Sequence, residues 1–171
     1  MYQILVAGPT ENSSRSNLAA VAKTAAFFTS DCAECHGSLD VNDVDLCDAL
    51  VVPGGIADVD PAFYGEENVA CGEIDKALDE QQLKMIARAV EQKKPVFGIC
   101  RGLQLICGHF GAALVQDIVC SAEHKPAAKG KGASTKYIQY PGAPWKRFTA
   151  KRRRPIVFTI RLSANYRRVL R

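Results

Sequence analysis

Three short apolar segments of this sequence each end at a turn that contains glycine, and helical patterns separate them. The segments are Tyr2–Ala7, Ala49–Val52 and residues 95–99, and none of them alternates regularly between apolar and polar residues. Strands that are apolar on both faces are typical of a mostly parallel sheet that helices cover on both sides. The pattern therefore predicts a three-layer α/β fold.

The remaining elements follow from helical spacing and capping residues. Asn17 is placed to cap a helix over residues 18–28. Apolar residues recur at helical spacing between residues 75 and 92, where they are Leu78, Leu83, Ile86, Ala87 and Val90. A further helix is predicted over residues 103–110 and a return strand over residues 113–118. Weaker strand signals lie at residues 137–140 and 155–160.

The run Gly98-Ile-Cys-Arg-Gly102 joins the third apolar segment to a helical pattern. A cysteine on so tight a strand-to-helix turn is held in a strained conformation and projects from the carboxyl edge of the sheet. The flanking glycines are needed because a Cβ would clash where strand and helix pass closely. The amino end of the helix stabilises a thiolate and offers N–H groups, such as that of Arg101, to an oxyanion. We therefore expect Cys100 to be a nucleophile rather than an inert buried cysteine.

A second glycine turn, Pro53-Gly54-Gly55, follows the strand Ala49–Val52. Two glycines at the carboxyl end of a strand can expose a backbone N–H, and that of Gly55 or its neighbour could complete an oxyanion hole with Arg101. Alone, this turn would be interpreted as a plain β-turn. Because ligand sites of open α/β sheets lie at the carboxyl edge, two such turns together favour a shared site.

Further motifs accompany the two glycine turns. Together the motifs are Pro53-Gly-Gly55, Asp58-Val-Asp-Pro61, Tyr64-Gly-Glu-Glu67, Gly98-Ile-Cys-Arg-Gly-Leu-Gln104 and Gln116-Asp-Ile118. This combination resembles the γ-glutamyl-γ-aminobutyrate hydrolase group, a branch of the class I glutamine amidotransferases that is also classed as peptidase C26. The resemblance covers residues 1–148 as one domain and leaves residues 149–171 as a basic tail. It implies a flavodoxin-like sheet.

The resemblance also implies an activity and a set of site residues. The activity is hydrolysis of a γ-glutamyl amide, or of glutamine, through a thioester on Cys100, with neither a cofactor nor a metal. The oxyanion donors of the family fall on Gly55 and Arg101. Gly54 and Gln104 match positions that bind the glutamyl group.

One departure from the family concerns the general base. The family carries its catalytic histidine and the glutamate that orients it in a His-Pro-Glu motif near the C-terminus, and no such motif occurs here. The three histidines are His36, His109 and His124, of which we keep only His124 as a candidate weak base. We therefore expect a C-terminally truncated or altered member with impaired hydrolysis. The alternative is a catalytically inactive protein that binds γ-glutamyl compounds.

The C-terminal segment of the sequence is strongly basic, which bears on possible binding partners. Residues 151–171 contain eight Lys and Arg and no acidic residue, whereas the whole 171-residue chain has a net charge of +4. Such a tail could bind nucleic acid, but we favour a solvated tail.

There is no apolar run of about 18 residues and no basic, apolar leader, so we expect a cytoplasmic protein without a membrane partner. An incompletely covered sheet edge would allow a homo-oligomer.

The string Cys32-Ala-Glu-Cys-His36 matches the C-x-x-C-H pattern of haem attachment and could supply metal ligands. Haem attachment requires export, and a zinc site requires further ligands at suitable spacing. We therefore favour a solvated turn here. The seven cysteines are an odd number and follow no export signal, so we expect reduced thiols.

Overall fold

A computed structural model of the chain describes residues 1–116 and the backbone of residues 169–170. Within residues 1–116, four parallel strands form one sheet in the order β2-β1-β3-β4. This is the strand order of flavodoxin-like folds, so the predicted α/β class and flavodoxin-like architecture are confirmed. The strands are β1 (Tyr2–Ala7), β2 (Ala33–Ser38), β3 (Ala49–Val52) and β4 (Val96–Gly98).

The helices connect these strands and cover both faces of the sheet. The crossovers from β1 to β2 and from β3 to β4 run in opposite directions across the sheet. Right-handed connections therefore place the first and third helices on opposite faces. The helices are α1 (Arg15–Phe28), α2 (Asp43–Leu46), α3 (Lys76–Glu91) and α4 (Arg101–His109), and a 3₁₀ helix (Pro61–Tyr64) lies between β3 and α3.

The strands divide their side chains between two apolar layers. Leu50 and Val52 of β3 are fully buried in the layer that includes Ile86 of α3. On the opposite face, Phe97 of β4 packs against Phe28 of α1, with ring centroids 5.5 Å apart. Because both faces are covered, the central strands are apolar throughout, as the sequence predicted.

The start of α1 differs from the prediction. Ser14 caps the helix, because its Oγ accepts a hydrogen bond from the N–H of Asn17 at 3.2 Å. Asn17 therefore lies inside the helix, and its side-chain amide donates to Ser13 Oγ. The predicted cap was wrong because an earlier hydroxyl group reaches the same free N–H groups of the first turn.

The segment that contains Cys35 and His36 is a strand, not the predicted solvated turn. It forms β2, whose His36 is in register with Leu5 of β1. Successive side chains of a strand point to opposite faces, so Cys35 and His36 diverge. The prediction was wrong because β2 lies at one edge of the sheet, where polar side chains are exposed and leave no apolar pattern.

The other predicted elements agree with the structure where it describes them. The helix predicted over residues 75–92 is α3, capped by Asp75, whose carboxylate accepts from the N–H of Leu78. The return strand is present as β5 (Leu114–Val115), which pairs antiparallel with β6 (Val169–Leu170). The strand signals at residues 137–140 and 155–160 lie outside the described residues. Among those described, no helix is both long enough and apolar enough to span a membrane.

An ion pair joins α2 to α3. Arg88 donates from Nε and Nη2 to the two carboxylate oxygens of Asp45, each at 2.9 Å, and the Gln92 amide also donates to this carboxylate. These hydrogen bonds lower the pKa of Asp45 from 3.8 to about 2. A carboxyl whose pKa is lowered by folding stabilises the fold above its ordinary pKa and loses that contribution as the pH falls.

We predict that Asp45→Asn lowers the free energy of unfolding at neutral pH. The difference from the parent chain should shrink as the pH falls from 3.8 towards 2, because the parent carboxyl is then protonated as well. Denaturant titrations across this pH range measure the effect. Asp43→Asn is the control, since Asp43 also lies in α2 and forms no ion pair with the described residues. Equal effects of both substitutions at every pH would contradict the prediction.

Candidate functional site

The candidate site lies where β4 ends and α4 begins. Cys100 is the N-cap of α4 and has φ 55° and ψ −108°. Positive φ is strained for a residue with a side chain, and such residues cluster at functional sites. The turn is closed by hydrogen bonds from the N–H of Gly102 to the Ile99 carbonyl at 2.9 Å and from the N–H of Gln104 to the Cys100 carbonyl at 3.2 Å. The tight strand-to-helix turn predicted from the sequence is present.

The two glycines that flank this turn have no room for a side chain. A Cβ on Gly102 would lie 2.2 Å from the carbonyl oxygen of Val52 in β3. A Cβ on Gly98 would lie 2.6 Å from the backbone nitrogen of Leu103 in α4. Both neighbours are backbone atoms, so either side chain would push α4 away from the sheet. The close approach of helix and sheet therefore depends on this pair of glycines.

The turn after β3 lies beside the turn after β4. A Cβ on Gly54 would lie 3.5 Å from Cβ of Cys100, and a Cβ on Gly55 would lie 3.1 Å from Cδ of Arg101. Within residues 1–116, neither the N–H of Gly55 nor that of Arg101 donates a hydrogen bond. The structure thus brings the two predicted glycine turns together at the carboxyl edge, and as far as residues 1–116 are concerned both N–H groups are available to a ligand.

Gln104, predicted to contact substrate, lies one turn into α4. Its Oε1 is buried and accepts no hydrogen bond from the described residues. A buried carbonyl oxygen without a donor costs free energy, so such an atom is a reasonable contact for a ligand. The role of Gln104 in binding stays a prediction.

The described histidines lie far from Cys100. His36 is in β2, three strands along the sheet from β4, a separation of about 14 Å. His109 is the last residue of α4, about 12 Å along the helix axis from its first residue. It packs against Phe110, and burial lowers its pKa. His124, the predicted weak base, lies outside the described residues.

The side chain of Arg101 is held in a buried polar network that the sequence reading missed. It is 1% exposed, its Nη2 pairs with the Asp79 carboxylate, and its Nη1 donates to Oε1 of Gln82. The other Asp79 oxygen accepts from the N–H of Asp60 at 2.9 Å. Gln82 donates from Nε2 to the Ala7 carbonyl at the end of β1, at 2.6 Å. The network therefore joins α3, β1 and the loop after β3 to the turn at Cys100.

The charge state of this network follows from its arginine. Burial raises the pKa of the Asp79 carboxyl, while the Arg101 guanidinium and the N–H of Asp60 act in the opposite direction. An arginine side chain keeps its charge in proteins, and a buried charge without a partner is strongly unfavourable. Arg101 therefore requires the Asp79 carboxylate as its counter-charge.

A signal for this network was present in α3. Asp79, Gln82 and Ile86 are spaced so that they share one face of the helix, and all three are buried. The predicted apolar stripe instead included Ala87, which is exposed. Polar residues in line with an apolar stripe would have indicated a buried network, because such groups must be hydrogen-bonded.

Asp58 and Asp60, which lie between β3 and α3, accept hydrogen bonds from backbone N–H groups of the same segment. Asp60 accepts from the N–H of Ala62 at 3.1 Å and pairs with Lys76 at 3.0 Å. Asp58 accepts from the N–H of Gly72 at 2.7 Å. No group of three or more His, Cys, Asp or Glu that could hold a metal occurs in the part of the chain that the structure describes.

We predict that Gly102→Ala lowers the free energy of unfolding by about 1–3 kcal/mol, because the new methyl group overpacks against the Val52 carbonyl. Gly108→Ala is the matched control in the same helix, since no atom lies within 4 Å of a Cβ at that position. It should raise the free energy of unfolding by about 0.5–1 kcal/mol. Chemical denaturation measures both, and a Gly102→Ala chain as stable as its parent would contradict the predicted close approach.

Comparison with known proteins identifies relatives of this chain. A family model described as Peptidase C26 matches residues 36–142. The glutamine amidotransferase-like protein YvdE of Lactococcus lactis subsp. lactis is 46% identical over 78 residues, which cover 45% of this chain and 33% of that protein. Its homolog in Lactococcus lactis subsp. cremoris is 44% identical over 78 residues, covering 45% and 41%.

A third relative matches over a longer stretch at lower identity. Protein NtpR of Enterococcus hirae is 31% identical over 102 residues, which cover 59% of this chain and 38% of that protein. The chain thus spans between one third and about two fifths of the length of these curated relatives.

Proposed function

Because the chain belongs to the peptidase C26 family, we propose that it is a glutamine amidotransferase-like hydrolase with Cys100 as its nucleophile. The observation that carries this proposal is the strained conformation of Cys100, at φ 55°, between two glycines that admit no side chain. A backbone held in an unfavourable conformation by its surroundings is typical of a nucleophile elbow. The adjacent glycine turn supplies the second feature that such chemistry requires.

The proposed reaction follows from the groups at the turn. The Cys100 sulfur attacks the amide carbon of the γ-glutamyl group, and the carbonyl oxygen becomes an oxyanion. The N–H groups of Gly55 and Arg101 donate to that oxyanion. The carbon–nitrogen bond then breaks, the amine leaves with a proton, and a thioester remains on Cys100. Attack by water on the thioester releases glutamate and restores the thiol.

The proposed substrate is a small γ-glutamyl amide or glutamine. The sequence resemblance to γ-glutamyl-γ-aminobutyrate hydrolases supports this class, and the relatives named glutamine amidotransferase-like agree with it. Gly54 lies beside Cys100 and carries no side chain, and Oε1 of Gln104, which accepts no hydrogen bond from the described residues, is suited to an N–H donor such as an ammonium group.

Turnover also requires a group that moves protons. His36 and His109 lie too far along the sheet and helix to serve Cys100, which leaves His124 as the histidine of this sequence proposed as a weak base. We accordingly propose impaired turnover. The second candidate function, binding of γ-glutamyl compounds without hydrolysis, is favoured by the same observation.

The experiment uses a diazo ketone analogue of glutamine, which alkylates a nucleophilic thiol. The thiol proton is transferred to the diazo carbon, a carbon–sulfur bond forms at that same carbon, and dinitrogen leaves. We predict one adduct by intact-mass spectrometry on the full chain. Cys100→Ala should abolish it, whereas Cys32→Ala, which removes an exposed cysteine, should retain it. An adduct that survives Cys100→Ala would sink the proposal.

Amine release distinguishes the two candidate functions. Incubation with γ-glutamyl-γ-aminobutyrate or glutamine should release amine or ammonia slowly, and Cys100→Ala should abolish that release. If His124 transfers the proton, His124→Ala should lower the rate of amine release below that of the parent chain, typically by about 100-fold or more. Labelling of Cys100 without any release of amine would favour the binding function.

A further inference from the structure

We propose that Asp79 and Gln82 of α3 are positioning residues that hold the turn at Cys100 in its reactive geometry through the side chain of Arg101. The inference rests on the proposed function of Cys100 and adds to it two residues on a different helix. Neither side chain needs to touch substrate, because each contacts the side chain of Arg101.

The peptide group between Cys100 and Arg101 lies next to the proposed nucleophile. Arg101 directly follows Cys100 and is the first residue of α4, so its N–H belongs to the peptide group that the strained Cys100 conformation orients. A strained backbone conformation persists only where several contacts with the surrounding structure hold it. The long side chain of Arg101, fixed at its far end by two partners, resists rotation of this peptide group.

The Arg101 side chain also contacts the turn that contains the other proposed oxyanion donor, Gly55. Cδ of Arg101 lies 3.1 Å from the position that a Cβ on Gly55 would occupy, so the arginine stem packs directly beneath this turn. The same side chain therefore supports both N–H groups that are proposed to bind the oxyanion. A shift of the guanidinium would change their spacing, and the spacing of such donors controls how well they stabilise an oxyanion.

Two side chains of α3 anchor the guanidinium of Arg101. Its Nε makes no hydrogen bond with the described residues, so the hold on the guanidinium comes from Asp79 and Gln82. Both partners are themselves hydrogen-bonded to the backbone, Asp79 to the N–H of Asp60 and Gln82 to the carbonyl of Ala7. Supporting side chains that are fixed in this way keep the atoms of a reactive site within a fraction of an ångström of their productive positions.

The test compares two thiol reagents on the full chain. The glutamine-analogue diazo ketone requires an ordered glutamyl site, whereas iodoacetamide reports the accessibility and intrinsic reactivity of the thiol. Gln82→Met removes both hydrogen bonds of Gln82 without leaving a charge unpaired. We expect the rate of diazo ketone labelling at Cys100 to fall by about 10- to 100-fold, with a much smaller change in the iodoacetamide rate.

A second variant separates positioning from folding. Asp79→Leu combined with Arg101→Met replaces the buried ion pair by apolar side chains of similar size, a change that often leaves stability unaltered or raises it. This chain retains the backbone N–H of residue 101. If the pair positions the turn, the melting temperature should be close to that of the parent while the diazo ketone rate falls as in Gln82→Met.

Asp45→Asn is the control variant for both network variants. Asp45→Asn breaks an arginine–carboxylate pair of α3 that faces α2, and should leave the ratio of the two rates unchanged. Unchanged ratios in both network variants would overturn this inference while leaving the proposed function intact. A parent chain that the diazo ketone does not label at Cys100 would instead overturn the proposed function, and this inference with it.

Discussion

The buried ion pair between Arg101 and Asp79 is the interaction on which the arrangement of the site depends. Removing one partner of such a pair typically costs about 3–5 kcal/mol, a large share of the 5–15 kcal/mol that stabilises an ordinary domain. The elements that meet at this pair must therefore pack so that both charged groups stay in contact. They are α3, which supplies Asp79, and α4, which begins with Arg101. Through Gln82 and Asp60 the same requirement extends to β1 and to the loop after β3.

A second constraint, purely steric, acts at the same place. Gly102 lets the backbone of α4 come within contact of the Val52 carbonyl, and this sets how deeply the helix sits against the sheet. Contact alone does not fix the rotation of the helix about its axis. The ion pair restricts this rotation, because the far end of the Arg101 side chain is bound to Asp79 of α3. Depth and rotation together orient the peptide group that follows Cys100.

What could be predicted from the sequence depended on whether its signal was local. β1, β3, α3 and the turn at Cys100 were predictable because apolar runs, helical spacing and paired glycines act over a few residues. β2 was missed because an edge strand with exposed side chains carries no apolar pattern. Asp79 and Gln82 were missed because only their alignment with the apolar stripe of α3, and no local motif, distinguishes these buried polar side chains from solvated ones. Their partner Arg101 lies some twenty residues away along the chain.

The reactivity of the thiols depends on where each lies along α4. Cys107 is buried within the helix, and burial raises its pKa to about 12, so it stays protonated and inert. Cys100 is only partly buried and stands at the amino end of α4, where the helix dipole favours negative charge. An oxyanion hole and substrate binding alone can still provide roughly 10³–10⁴-fold acceleration when the groups of a catalytic triad are missing. In the proposed reaction, the geometry of residues 1–116 serves the attack of the Cys100 sulfur and the binding of the oxyanion, whereas departure of the amine and hydrolysis of the thioester each need a proton-transfer group as well.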